Sequence, residues 1–228
     1  MKTIKILRQI IIAAGAFFSS LFCLSGFSQE KALQFRHIST QEGLSHNSVF
    51  SILKDSRGFM WFATDDGLNK YDGYKFTPYK HDPLNLHSIS SSSINALLED
   101  DQQNIWVASA GGIDRFDRQR EIFIRYRHHN PGLAIKNIFQ DSKKNIWLGT
   151  SDGLCLFNPA KSSFKFYKNN PGDANSLSHN YVYRVVEDNN GSIWVATRTD
   201  LIVLTLLPAG LSIILMNRAI IRVSARVI

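Results

Sequence analysis

A tryptophan recurs four times in the same local pattern, and this repeat restricts the fold more than any other feature of the sequence. An aspartate stands six positions before each tryptophan, apolar residues flank it, and a small residue follows two positions later. The copies are DSRGFMWFATDDGL, DDQQNIWVASAGGI, DSKKNIWLGTSDGL and DNNGSIWVATRTDL, around Trp61, Trp106, Trp147 and Trp194. Successive tryptophans are 45, 41 and 47 residues apart, which indicates a repeat architecture.

Each copy of this unit also contains the parts of a small antiparallel sheet. Four short runs in the first copy, SVFSILK, FMWFAT, LNKYD and KFTPYK, have strand-like patterns, and the tryptophan run is apolar on both faces. Polar stretches such as DSRG, and the Asp-Gly pairs at 66–67 and 152–153, suit tight turns between strands. Four strands in about 45 residues are typical of one β-propeller blade, so we predict an all-β chain of four-stranded antiparallel blades.

The positions that define the repeat are interpreted as structural. A pair of carboxylates would suit glycoside hydrolysis, but an aspartate present in every unit is expected to form turns, because catalytic residues should break a repeat. The structural set comprises Asp55, Trp61, Gly67, Asp100, Trp106, Gly112, Asp141, Trp147, Gly153, Asp188 and Trp194.

Residues that differ from unit to unit are better candidates for a binding site. The set predicted to form a ligand rim, with ordinary exposed loop residues as the alternative, comprises Asp65, Tyr71, Arg115 and Arg118. The adjacent His128 and His129 are interpreted as part of a polar turn. The sequence has no phosphate-binding glycine loop, metal-ligand spacing or nucleophile elbow, so no catalytic, cofactor or metal site is predicted.

The positive charge of the chain comes from its two ends. The formal net charge is +7, from 26 basic and 19 acidic residues. Residues 1–28 and residues 201–228 each hold three basic groups and no acidic one, which leaves 20 basic against 19 acidic groups between them. The middle of the chain is therefore almost neutral, and no nucleic-acid-binding patch is predicted.

The N-terminal segment has the features of an export signal. Three basic residues within the first eight positions precede an uncharged apolar run, and small and polar residues follow. We interpret residues 1–29 as a secretory signal peptide, with an uncleaved N-terminal anchor as the alternative. Cleavage would remove Cys23 and leave Cys155 as the one thiol, which is expected to be a strand residue and not a reactive group.

The repeated segments resemble the two-component regulator propeller repeat. LSHNSVFSILKDSRGFMWFATDDGLNKYDG at 44–73 follows the pattern of that family almost throughout, and LSHNYVYRVVEDNNGSIWVAT at 177–197 repeats it. The resemblance implies paired propellers of roughly seven blades each, which form the periplasmic sensor of hybrid two-component histidine kinases. The kinase, receiver and DNA-binding modules that follow in such proteins are not recognised in this sequence.

The repeat boundaries predict the organisation of the chain. Residues 32–43 are expected to hold a ring-closing strand and a linker. Blades are expected at 44–88, 89–129 and 130–176, followed by part of a fourth blade at 177–199 and a non-propeller apolar tail at 200–228. Because a propeller needs about 4 to 8 blades to close, these boundaries predict an incomplete open arc.

Asp200 stands where the three earlier units have glycine, and the repeat pattern stops there. Loss of one base would convert a family-like GLNRFDPATG into DLIVLTLLPA, the sequence that begins at Asp200. The tail is therefore interpreted as a frameshift product, and the chain as a truncated fragment that does not function alone. A membrane anchor is the alternative, although the uncharged run 201–217 contains Pro208 and is shorter than the roughly 20 residues of a membrane helix.

By resemblance, the expected function is sensing outside the cytoplasm within a hybrid two-component phosphorelay. The implied ligand is an oligosaccharide from glycan breakdown, and the implied partners are the rest of the propeller and the kinase. The expected location is the periplasm, with attachment to the inner membrane as an alternative. The chain itself is expected to be no enzyme and to use no cofactor. A stand-alone propeller that acts as an interaction scaffold, or as a carbohydrate-active enzyme, remains the alternative.

Overall fold

The regular secondary structure of the described residues is almost entirely β-strand, as predicted. The computed structural model describes residues 33–130, 132–207 and 210–215, with side chains as far as Leu204. A short 3-10 helix, Thr40–Glu42, precedes the strands. The strands are β1 (Val49–Lys54), β2 (Met60–Thr64), β3 (Gly67–Tyr71), β4 (Phe76–Tyr79), β5 (Ile94–Glu99), β6 (Ile105–Ser109), β7 (Gly112–Asp117), β8 (Ile122–Tyr126), β9 (Ile135–Gln140), β10 (Ile146–Thr150), β11 (Gly153–Asn158), β12 (Ser163–Tyr167), β13 (Val182–Glu187), β14 (Ile193–Thr197), β15 (Leu201–Leu207) and β16 (Gly210–Leu215).

These strands form four antiparallel sheets, one for each copy of the tryptophan repeat. Blade 1 contains β1 to β4, blade 2 contains β5 to β8, blade 3 contains β9 to β12, and blade 4 contains β13 to β16, each in chain order. The second strand of each blade carries the tryptophan. The first strand of each later blade contacts the first two strands of the blade before it, so the blades pack in sequence as in a propeller.

A separate hydrophobic core fills each space between successive blades. The tryptophan side of one blade, its tryptophan face, packs on the opposite side of the next blade, its leading face. Between blades 1 and 2, Trp61 and Leu68 pack with Ile94, Phe116 and Phe123. The other two spaces have matching cores, which include Trp106 with Leu148 and Phe157, and Trp147 with Val195 and Leu204. Each blade therefore depends on its neighbours to bury its apolar surface.

The fourth blade has four strands, which corrects the prediction of a partial blade at 177–199 and a non-propeller tail from residue 200. β15 pairs with β14, with Val203 opposite Trp194, and β16 pairs with β15 from Leu207 to Ile202. Strand pairing uses backbone groups, so a run rich in β-branched and apolar residues continues the sheet without the polar pattern of the other blades. Among the described residues, no helix is long and apolar enough to cross a membrane.

The described part of the segment at 32–43, predicted to hold a ring-closing strand, pairs with none of the four described blades, and its role in closing a complete ring stays a prediction. Residues 33–39 are not paired in a sheet, and Leu33 and Phe35 are exposed. Ser39 then caps the 3-10 helix. The predicted signal peptide at 1–29 lies outside the described residues.

The two ends of the blade array are uncovered. Ile52 on β1 is 58% exposed, although Leu97 and Val185, at the same position of blades 2 and 4, are buried. At the other end Trp194 is only partly buried, whereas the other three repeat tryptophans are fully buried. Among the described strands, no substantial contact joins blade 4 to blade 1. The leading face of blade 1 is therefore open at Ile52, and the tryptophan face of blade 4 is less covered than those of the other blades, although Val203 on it is buried.

Candidate functional site

Each repeat aspartate binds the indole of the tryptophan six residues later. The Nε1–Oδ2 distances are 2.9, 2.7, 2.8 and 2.8 Å in blades 1 to 4. The other oxygen of Asp55 accepts the backbone N–H groups of Arg57 and Phe59 in the turn after β1. Asp100, Asp141 and Asp188 likewise accept backbone N–H groups in their own turns. One carboxylate thus holds a hairpin turn and fixes a core side chain in every blade, which leaves it no free oxygen for chemistry.

The repeat glycines occupy backbone positions that suit no other residue. Gly67, Gly112 and Gly153 have φ of +123°, +133° and +124°. A Cβ on Gly153 would lie 2.6 Å from the carbonyl oxygen of Tyr167. In blade 4 the turn persists with Asp200: the Thr197 hydroxyl donates to the Asp200 carbonyl at 3.0 Å, but Asp200 is not among the described residues with positive φ. Asp200 in place of the repeat glycine therefore goes with a different φ angle, but the hydrogen bond of the turn is kept.

The structure does not bring the four predicted rim residues together. The turn between the second and third strands of a blade marks one end of the blade, here called the glycine end, and the opposite end is the aspartate end. Asp65 lies at the glycine end and accepts a hydrogen bond from Ser93 Oγ at 2.9 Å. Tyr71 and Arg118 lie at the aspartate end, and Arg115 lies on β7 opposite Trp106.

Two of the predicted rim residues, Arg118 and Tyr71, are held by contacts with other parts of the protein. The Arg118 side chain is 11% exposed and donates to Asp55 of blade 1 and Glu99 of blade 2, both at 2.8 Å. A guanidinium this deeply placed needs such partners, although Arg115 and Arg118 both line a cleft of about 290 Å³ at the aspartate end. Tyr71 stacks on Phe76 with ring centroids 4.6 Å apart, at the position where Phe116 is buried between blades.

A groove between blades 2 and 3 is the concave feature of the described residues best suited to a ligand. It lies at the glycine end and consists of a cleft of about 370 Å³ and an adjoining one of about 280 Å³. We call it the histidine groove, because His128 and His129 line both clefts. Its other side chains include Tyr126, Arg127, Asn130, Asp152, Phe164, Phe166 and Lys168.

The surroundings of His128 fix the state of its ring. Its centroid lies 3.7 Å from that of His129 and 4.7 Å from that of Phe166. Burial, together with the neighbouring His129 and Lys168, lowers the pKa of His128. The imidazole is therefore mainly neutral at pH 7. The Asn130 backbone N–H donates to Nδ1 at 3.1 Å, so Nδ1 is the acceptor and Nε2 carries the proton.

The remaining polar groups of the groove supply charge of both signs. Lys168 and Asp152 form an ion pair of 2.6 Å, and the Lys168 ammonium lies 5.8 Å from the centroid of Phe166. Arg127 and His129 are exposed on the same side. A surface of aromatic rings with hydrogen-bond donors and acceptors around them is suited to a polar ligand that has apolar faces. The sequence analysis placed His128 and His129 in a polar turn, as they lie here, but did not associate that turn with the aromatic residues of β12.

A buried carboxyl lies directly behind the histidine groove. Asp114 on β7 accepts hydrogen bonds from the backbone N–H and the hydroxyl of Ser90, at 2.8 and 2.5 Å, and Ser90 lines the groove. Burial raises the pKa of Asp114 to about 6. The equivalent residue of blade 1, Asn69, accepts the Ser45 backbone N–H in the same way but donates its amide N–H to Ser45 Oγ. Asp114 therefore holds the segment before β5 against β7, with a titratable carboxyl where blade 1 has the amide of Asn69.

The repeats match a known family. The sequence model of the family described as two component regulator propeller matches residues 43–66, 88–111, 131–152 and 176–199. Over 84 residues the chain is 37% identical to Histidine kinase P4 of Formosa agariphila, which corresponds to 37% of this chain and 6% of that protein. The chain therefore spans a small fraction of that relative.

Solved structures show the same blade arrangement. The fold is similar to the extracellular domain of a protein described as the hybrid two component system BT3049 from B. thetaiotaomicron, with a TM-score of 0.68 and 25% identity over 80% of this chain and 26% of that one. Virginiamycin B lyase from Staphylococcus aureus shares the fold alone, with a TM-score of 0.56 and 14% identity over 75% of this chain and 56% of that one. Each matched segment covers the first two strands of one blade, so the blades carry two-component regulator propeller repeats, and the propeller is typical of the extracellular regions of hybrid two-component sensors.

Proposed function

We propose that this propeller is a ligand-sensing region of a hybrid two-component sensor, that it works in the periplasm, and that its ligand is an oligosaccharide released by glycan breakdown. The family match and the likeness to an extracellular sensor domain support the first two parts. The kinase and further propeller blades are the proposed partners, since the chain covers only a small part of its signalling relatives. Signalling thus depends on those partners, and the propeller contributes recognition.

The histidine groove is the observation that supports an oligosaccharide ligand. Sugar rings present C–H faces that pack on aromatic rings, and hydroxyl groups that exchange hydrogen bonds with side chains at their edges. Phe164 and Phe166 offer the aromatic surface, and His128 offers a neutral N–H donor beside them. Arg127 and Asn130 stand at the edge of the same cleft. The groove is also open and lies between two blades, so a bound chain of sugars would contact both of them.

Calorimetric titration of the full chain with short neutral and uronic-acid-containing oligosaccharides tests this proposal. We expect one class to bind, and we expect Arg127→Ala and His129→Ala each to weaken binding by about tenfold, the loss of roughly one hydrogen bond to a charged or polar group. The matched control is His87→Ala, because His87 is also an exposed histidine but lies outside the groove. Binding that survives both groove variants, or a complete lack of binding across the panel, would refute the proposed ligand site.

A further inference from the structure

The connection that lines the histidine groove is shorter than the matching connections on either side of it. Between the last strand of one blade and the first strand of the next lie 14 residues after blade 1 (80–93) and 14 after blade 3 (168–181), but 8 after blade 2 (127–134). The two longer connections contain the same turn, closed by the Ser88 hydroxyl in one and the Ser176 hydroxyl in the other. The shorter connection leaves room at the joint of blades 2 and 3, and the groove lies there.

The wall that faces the short connection has changed as well. In blade 2 Arg125, on β8, donates to the carbonyl oxygens of Asn85 and Ser88 in the connection before it, at 2.9 and 2.8 Å. Phe166 occupies the same strand position in blade 3. Its ring lies 4.7 Å from that of His128 and lines the groove. An aromatic surface therefore stands where the joint of blades 1 and 2 has a guanidinium bound to the backbone.

The groove also contains a cation whose usual carboxylate partner is missing. In blades 1 and 3 the cation after the last strand forms an ion pair of 2.6 Å with the aspartate of the turn before the third strand; these pairs are Lys80–Asp66 and Lys168–Asp152. In blade 2 the cation is Arg127, but Gly111 stands at the position of the aspartate. Arg127 is exposed, and among the described residues it forms no ion pair.

The protein does not replace the missing carboxylate from nearby. Asp114 is close enough to Arg127 for their charges to interact, but it is buried and accepts both donors of Ser90, at 2.8 and 2.5 Å. Gly111 has no room for a side chain, because a Cβ there would lie 2.7 Å from the Ser90 carbonyl oxygen. The Arg127 guanidinium is therefore left to an anion from outside the chain, beside the aromatic wall of the groove.

We propose that the histidine groove selects acidic sugars: the carboxylate of a uronic acid residue takes the place of the missing aspartate and binds Arg127, and its sugar ring packs on Phe166 and His128. A guanidinium can bind a carboxylate through two parallel hydrogen bonds, and such charge-assisted bonds are roughly twice as strong as neutral ones. This inference rests on the oligosaccharide-binding function proposed above, and it adds the class of sugar and the residue that selects it.

Calorimetric titration of the full chain with matched pairs of trisaccharides tests the selection. The acidic members consist of galacturonic, glucuronic or mannuronic acid, and the neutral members consist of galactose, glucose or mannose in the same linkage. We expect the acidic member of at least one pair to bind about tenfold more tightly than its neutral partner, or better. This preference should shrink as salt is added, because Arg127 is exposed to solvent.

Variants of the exposed cation assign the preference to one residue. Arg127→Gln keeps a hydrogen-bond donor but removes the charge, so it should reduce the preference for the acidic member to less than about threefold. Arg127→Lys keeps the charge and should retain part of the preference. Lys80→Gln is the matched control, because Lys80 is the exposed cation at the same position of blade 1 and lies outside the groove. It should leave the preference unchanged.

The possible results separate this inference from the function on which it rests. Neutral trisaccharides that bind as tightly as their acidic partners would overturn the selection of acidic sugars and leave the oligosaccharide-binding function standing. A lack of binding by every trisaccharide would overturn both. A preference for the acidic member that survives Arg127→Gln, or that falls equally in Lys80→Gln, would overturn the assignment of the carboxylate to Arg127.

Discussion

Arg118 in blade 2 and Asp55 in blade 1, which are 63 residues apart in the chain, form an ion pair of 2.8 Å across the joint between the two blades. The Asp55 oxygen in this pair, Oδ2, also accepts the Trp61 indole N–H. Burial pushes the pKa of Asp55 upward, but the hydrogen bonds from Trp61 and Arg118 outweigh it and hold the pKa below its usual value. The Asp55 carboxylate thus holds the Trp61 hairpin of blade 1 and also binds blade 2 through Arg118.

Arg118→Met should destabilise the chain by about 2–4 kcal/mol, because Asp55 and Glu99 would stay buried without their counter-charge. Urea unfolding of the full chain measures the change. Arg120→Met is the control in the same turn; Arg120 is exposed, so its replacement should alter the free energy of unfolding by less than about 0.5 kcal/mol. The difference in stability between parent and variant should shrink on acidification, because the stability that the depressed pKa of Asp55 gives the parent is present above the pKa of the unfolded chain and is lost as pH falls through the folded pKa. Equal effects of the two variants would contradict the ion pair.

Trp106→Phe and Trp194→Phe should differ although they change the same repeat position. Both remove an N–H donor to an aspartate, Asp100 or Asp188. Trp106 is fully buried between blades 2 and 3, so its loss leaves a cavity and a buried carboxylate oxygen without its donor, at a cost of about 2–4 kcal/mol. Trp194 is partly exposed, so water replaces the lost partner and the cost should be about half as large. Thermal unfolding of both variants checks this order, and equal costs would show that blade 4 is covered in solution.

The sequence predicted the inner part of each blade because the signal there is local. Residues six apart, such as Asp55 and Trp61, belong to one hairpin, so their repeated spacing reveals both the turn and the strand. The outer strands of blade 4 could not be predicted, since β15 has no polar alternation and its Ile202 and Leu204 meet Trp147 only when blades 3 and 4 pack. The role of Arg118 was also beyond reach, because its partner Asp55 meets it only when two blades pack.

Gly153→Ala should be much more harmful than a glycine replacement in an open loop. The left-handed φ of Gly153 disfavours a side chain, and a Cβ there would meet the Tyr167 carbonyl oxygen, which belongs to the backbone and cannot turn aside. We expect a loss of about 2–4 kcal/mol in the free energy of unfolding. Gly172→Ala is the control, because a Cβ at Gly172 has no contact closer than 3.6 Å and its φ is not in the left-handed region. A similar loss in both variants would argue against the described turn.

Asp114→Asn should abolish one pH-dependent part of the stability. The folded-state pKa of Asp114 is raised to about 6, above its value in the unfolded chain, so the folded state holds the extra proton and the parent loses stability as pH rises from about 4 through 6. The part lost is about 1–3 kcal/mol. The asparagine variant should lack this slope and be at least as stable at pH 7, because the amide of Asn69 holds the equivalent serine of blade 1, Ser45. Chemical unfolding at several pH values, compared between parent and variant, cancels all other groups; parallel curves would contradict the prediction.

The candidate binding groove was less accessible to sequence reasoning than the fold. His128 and His129 are adjacent in the sequence, but Phe166, which completes the groove, comes from the next blade. The predicted rim residues were chosen because they vary between repeats, and variation alone does not separate an exposed position such as Asp65 from a buried partner such as Arg118. Side-chain packing between blades, which no single repeat contains, decides which of them face solvent.

Hydrogen–deuterium exchange of the full chain, resolved by peptide, tests most directly the central claim that the four repeats are four complete blades of one array. We predict slow exchange in all four tryptophan strands and also in Leu201–Leu207, because β15 is paired on both sides by β14 and β16. Protection of Met60–Thr64, Ile105–Ser109 and Ile146–Thr150 together with free exchange across Leu201–Leu207 would contradict the claim, since the array would then end with blade 3 and an unpaired fourth repeat.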